Sequence, residues 1–109
     1  MAAIVVLTNA PDGIVARRIA DVLIERRLAA CVNLLAECVS VYRWQGAVET
    51  ATEVPMLIKT RSELYAEVEA AIRALHPYEL PEIIALPVER GCPDFLRWIH
   101  TQTVTEQAE

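Results

Sequence analysis

Two long β-rich arms around one turn constrain this chain more than any other feature. The first runs from Ala30 to Trp44, with Val32 and Leu34, then Val39 and Val41; the second runs from Glu49 to Thr60. Gln45-Gly46 between them reads as the turn. In the second arm Val54, Met56 and Ile58 alternate onto one face. Glu37 and Cys38 interrupt the first arm, where a bend or bulge is expected. Pro55 has no N–H for a ladder, which predicts an edge or a bulge at that point. An arm of about 13 residues spans about 40 Å, whereas a domain of this length has a radius of gyration of roughly 13 Å. The hairpin must therefore bend or project past its own sheet. Its unpaired edges need cover, and a second copy of the chain is the natural source, so a closed homo-oligomer is expected.

The other elements follow from periodicity. Ala3 to Leu7 is a short apolar run, read as a buried strand. "NAPDG" follows, with Asn9 and Asp12 as capping candidates and Pro11 suited to a first helical turn. Ile14, Val15, Ile19, Val22 and Leu23 then recur at helical spacing, predicting a helix to about Leu28. "TRSE" at Thr60–Glu63 matches a capping box. Leu64, Val68, Ala71, Ile72 and Leu75 form the apolar stripe of the helix it opens. Ile83 to Val88 is a last strand, and "CPDFLRWI" opens a short third helix. The order predicts an α+β fold, a ferredoxin-like βαββαβ sandwich with a long hairpin and a short C-terminal helix. Residues 1–109 form one domain, of which about 101–109, "TQTVTEQAE", are a polar tail.

Composition narrows the function classes. A net charge of −5 opposes a nucleic-acid surface, which needs a basic face. Arg17, Arg18, Arg26 and Arg27 cluster, but with Asp21 and Glu25 among them, as on a solvated helix. Three cysteines, Cys31, Cys38 and Cys92, form no C-x-x-C pair and suit a reducing cytoplasm. "MAAIVVLTNA" lacks the basic start and long apolar run of a secretory leader, and no stretch approaches the roughly 20 apolar residues that span a bilayer. A cytoplasmic chain with neither nucleic-acid nor membrane partners is expected.

"HPYELPEI", His76 to Ile83, concentrates the polar chemistry. Pro77 forces the preceding helix to stop at His76, where an imidazole suits the helix C-terminus. Pro81 leads into the final strand, and Tyr78 buries a ring while its hydroxyl stays paired. As a metal site the stretch offers one imidazole with Glu79 and Glu82 nearby, which is half of what copper or zinc requires. No G-x-S-x-G, H-E-x-x-H or glycine-rich phosphate loop is present, so no enzymatic activity is expected.

Six motifs in order, "LAACVN", "SVYRWQG", "LIKT", "HPYELPEI", "LPVERG" and "FLRWI", resemble the CutA-type divalent-cation tolerance proteins over nearly the whole chain. The resemblance implies a cytoplasmic ferredoxin-like homotrimer in which neighbouring hairpins pair. It implies a non-enzymatic role in tolerance of divalent metals, copper especially. Some members carry cysteine where this chain has Thr8 and a second histidine where it has Leu75, which leaves His76 as the metal candidate. Tyr42, Trp44, Lys59, Tyr78, Glu79 and Glu82 match residues around the clefts where subunits meet. No cofactor is required, and weak binding of a divalent metal such as copper is expected. The alternative is a trimeric regulator like the PII-type signalling proteins, binding a small anionic ligand in those clefts.

Overall fold

The computed structural model describes residues 2–103. Strands β1 (Ala3–Ala10), β2 (Cys31–Leu34), β3 (Cys38–Trp44), β4 (Ala47–Arg61) and β5 (Ile83–Pro87) form one antiparallel sheet. Helices α1 (Gly13–Glu25), α2 (Tyr65–Leu75) and α3 (Pro93–Gln102) complete the chain. The order across the sheet is β2-β4-β1-β5, with β3 extending the pairing of β4, as a ferredoxin-like fold requires. One sheet face carries Val6, Met56 and Ile58, all fully buried against Ile19 and Leu23 of α1 and Val68 and Ile72 of α2. Among the described residues no helix is long and apolar enough to cross a membrane.

The hairpin projects as its length demands. The longest dimension is 48 Å and the radius of gyration 14.6 Å. Leu34 pairs Met56 and Cys38 pairs Glu53, so residues 35–37 oppose only Val54 and Pro55. That extra residue is a bulge, and it aims β3 and the first half of β4 away from the sheet. Pro55 lies where β4 changes partner from β2 to β3. Its carbonyl accepts from the Leu35 N–H, and its missing donor removes no ladder bond.

Four local details differ from expectation. β1 continues to Ala10, because β4 pairs with it through Ala10↔Val54. Asp12 alone caps α1, accepting from the Val15 N–H, while Asn9 lies in the strand and Pro11 precedes the cap. α1 stops at Glu25 because Arg27 turns left-handed (φ 59°). The Leu28 N–H then reaches the Leu23 carbonyl and the Arg27 N–H the Ile24 carbonyl, a Schellman ending. The capping box at "TRSE" does not form. Thr60 stays in β4 and donates its hydroxyl to the Leu28 carbonyl at 2.7 Å, and a 3₁₀ turn over Ser62–Leu64 opens α2 without a side-chain cap.

At the C-terminal end, Thr101 and Gln102 belong to α3 and Thr103 is buried, so of the expected tail only 104–109 are left, outside the described residues. Arg27 donates to the Thr101 and Gln102 carbonyls and Arg61 to the Thr103 carbonyl, which ties the end of α3 to the body.

Candidate functional site

A cleft of about 550 Å³ opens between the hairpin and the segment that joins α2 to β5. Tyr42, Arg43 and Trp44 of β3 line one side, Glu53 of β4 the floor, and Tyr78, Glu79 and Glu82 the other side. The hairpin bulge produces this arrangement, because it swings β3 beside the two prolines that terminate α2 and begin the approach to β5.

Glu53 is the buried centre of the cleft, 8% exposed. Its carboxylate accepts from the Ser40 hydroxyl at 2.6 Å, and the Tyr78 phenol lies beside it. Burial of the phenol, then its hydrogen bond to Glu53 and the charge there, push the Tyr78 pKa up to about 12. The ion pairs among the described residues, Arg17–Asp21 and Asp94–Arg97, leave Glu53 without a cationic partner. Glu82 accepts from the Asn9 side-chain amide at 3.0 Å, which fixes that wall of the cleft.

His76 stands behind the cleft and is 7% exposed. Its Nε2 lies 2.7 Å from the Asn9 carbonyl, and its Nδ1 accepts from the Tyr78 N–H at 3.2 Å. The two contacts together select the neutral imidazole with its proton on Nε2. The pairing of β1 with β5 begins at Thr8↔Ile83, so Asn9 lies past it and His76 supplies the donor that no strand provides. The ring also packs against Tyr78, with centroids 4.5 Å apart. To ligate a metal His76 would have to release one of these partners. Among the described residues no group of three His, Cys, Asp or Glu side chains is placed to hold a metal ion.

Residues 4–102 match the family described as CutA1 divalent ion tolerance protein. The chain belongs to that family. It is 44% identical over 99 residues to the divalent-cation tolerance protein CutA of Thermus thermophilus, covering 91% of this chain and 96% of that one. It is 48% identical over 93 residues to mouse protein CutA, covering 85% of this chain but 52% of the relative, so the chain spans about half of that protein's length. Among solved structures, CutA of Xylella fastidiosa superposes with a TM-score of 0.92 at 42% identity, covering 95% of this chain and all of that one. CutA of Archaeoglobus fulgidus, described there as periplasmic, gives 0.91 at 43% identity and covers 94% of this chain and 99% of that one.

Of the cleft residues taken from the CutA resemblance, Tyr42, Trp44, Tyr78, Glu79 and Glu82 do come together. Lys59 does not line the cleft. It lies on β4 between Val5 of β1 and Cys31 of β2, six residues, or about 20 Å, from Glu53. Thr8, where some CutA proteins carry cysteine, is buried on the core side between Met56 and Ile83, and its hydroxyl has no partner among the described residues. Arg43, a candidate for holding an anionic ligand in the PII-type alternative, does line the cleft, whereas Ser40 and Glu53 escape a reading of the sequence. A glutamate in a strand reads as a solvent-facing residue, and only the bulge turns this one inward.

Proposed function

We propose that this protein serves tolerance of divalent cations without catalysing a reaction, as a cytoplasmic homotrimer whose cleft is its ligand-facing surface. The observation that carries the reading is the family match across residues 4–102. The assembly is supported by an uncovered sheet face. Val5, Leu7, Leu57, Ile84 and Leu86 point away from the helices, with Ile84 and Leu86 about half exposed. Val39, Val41 and Val48 of the hairpin are also exposed, and both edges of that hairpin are unpaired. Contiguous apolar surface of this kind marks an interface. Three copies around an axis cover the sheet face and pair the edges. Free thiols at Cys31, Cys38 and Cys92 support the cytoplasm.

Catalysis is disfavoured because the histidine nearest the cleft has both ring nitrogens engaged. Copper and other divalent ions are met weakly, through the acidic cleft and the net charge of −5 per chain, with His76 kept for the fold. An anionic ligand of the PII kind fits poorly, because Glu53, Glu79 and Glu82 face Arg43 alone.

Loss of the gene is expected to impair growth of the host in elevated copper or zinc; unchanged growth across divalent metals would remove the tolerance role. Light scattering of the purified protein is expected to return the mass of three chains. A copper titration of metal-stripped protein is expected to show binding weaker than micromolar, unaltered in His76→Ala. Micromolar binding that His76→Ala abolishes would make His76 a ligand.

A further inference from the structure

We propose that His76 is an acid-sensitive latch on one wall of the cleft: a second proton on its imidazole breaks the bond from the Tyr78 N–H and frees residues 77–82. The device needs neither the trimer nor a particular ligand. Both ring nitrogens are committed, in a pattern that the neutral ring alone satisfies. Nε2 donates to the Asn9 carbonyl at 2.7 Å, and Nδ1 accepts from the Tyr78 N–H at 3.2 Å. An imidazolium has two donors and no acceptor. With Nδ1 protonated, two N–H groups face each other, and attraction becomes repulsion. The ring is buried, so water does not screen that clash. Imidazoles ordinarily titrate at about pH 6.5, so mild acid is the trigger.

What the latch holds is otherwise lightly attached. Pro77 and Pro81 have no N–H. Among the described residues, the Tyr78 N–H is the one backbone donor of 77–82 that has a partner, and that partner is the His76 ring. Two side-chain links remain, the Asn9 amide on Glu82 at 3.0 Å and the Tyr78 phenol beside Glu53. Residues 77–82 carry Tyr78, Glu79 and Glu82 onto the cleft, so their movement alters its shape. The ionisable groups around the ring come from every neighbouring element. Asp12 caps α1, Arg73 lies in the last turn of α2, Tyr42 and Arg43 are on β3, Glu53 is on β4, and Tyr78, Glu79 and Glu82 belong to the segment itself. Among the described residues none of their side chains is hydrogen-bonded to Nδ1, so a proton there has no acceptor unless the chain moves.

The test is an NMR titration of the full chain from about pH 8 to about pH 5, across the ordinary imidazole range. The chain has two histidines, so the spectrum of His100→Gln identifies the ring signals of His76. The His76 ring, the Tyr78 amide and the Trp44 indole N–H are expected to move together on one titration curve. Protection of the Tyr78 amide from hydrogen exchange, corrected for the intrinsic rate at each pH, is expected to fall at least about tenfold across it. In His76→Gln, whose carboxamide gains no proton in this range, the Tyr78 and Trp44 responses are expected to vanish. Should that variant not fold, the parent titration decides alone. A His76 ring that takes its proton while Tyr78 and Trp44 stay put overturns the latch. So does a ring that stays neutral throughout. Tyr78 and Trp44 moving on a curve other than that of His76, or still moving in His76→Gln, would assign the response to a carboxylate and overturn it as well.

Discussion

His76 is held from two directions, and that decides what its replacement does. His76→Ala leaves the Asn9 carbonyl beyond the end of the β5 ladder with no donor, at a cost of about 1–3 kcal/mol. Urea denaturation is expected to show this loss with no change in slope, and an unchanged midpoint would mean that water or another residue supplies the bond. Tyr78 reports on the same neighbourhood from the cleft side. Its phenol titrates near 12, above the usual value of about 10. The folded state therefore holds this proton more tightly than the unfolded chain, so its contribution to stability is whole below pH about 10 and is lost as pH rises towards 12. Phenolate absorbance in a Tyr65→Phe background, which removes the other tyrosine that burial raises, is expected to show one late transition. Glu53→Gln should move that transition down, because the carboxylate's charge and part of the hydrogen bond are gone. A transition that stays put would assign the shift to burial alone.

Among the elements, the end of α1 shows a residue choice set by two demands at once. Arg27 sits left-handed, where glycine is at ease and other residues pay about 1–2 kcal/mol, yet its guanidinium holds the last carbonyls of α3. Arg27→Ala loses the hold and keeps the strain, whereas Arg27→Gly loses the hold and relieves it. Arg27→Gly is therefore expected to be the more stable of the two by about 1 kcal/mol in thermal melts. Equal stabilities would mean that the turn carries no strain. Thr60 makes the parallel point. "TRSE" has the spacing of a capping box, but β1 holds Thr60 in β4 through Ile4↔Thr60, and the ladder overrides the local motif. Periodicity made the strands and helices legible because burial follows it. Their ends were less so, because they depend on ladder partners such as Val54 opposite Ala10, which lie far away in sequence.

At the scale of the whole molecule, the projecting hairpin was readable from arm length alone, and the 48 Å dimension bears it out. The cleft within one chain gathers five of the residues that the resemblance assigns to subunit boundaries, but Glu53, whose inward turn comes from one extra residue at 35–37, was not among them. The sheet's outer face was not readable at all, since Val5, Leu7 and Leu57 read as ordinary members of buried strands. Their exposure in a single chain makes a prediction about assembly. Leu86 lies opposite Val5 in the middle of that face and is half exposed. A charge there costs little in an isolated chain but is buried without a partner once copies pack together. For the proposed trimer, Leu86→Glu is therefore expected to lower the mass from three chains to one and to leave circular dichroism nearly unchanged. Its melting temperature should fall and lose the concentration dependence expected of the parent, because subunit binding contributes to the parent's stability by mass action. A variant that still sediments as three chains would place the interface on the hairpin edges and leave the sheet face to another partner.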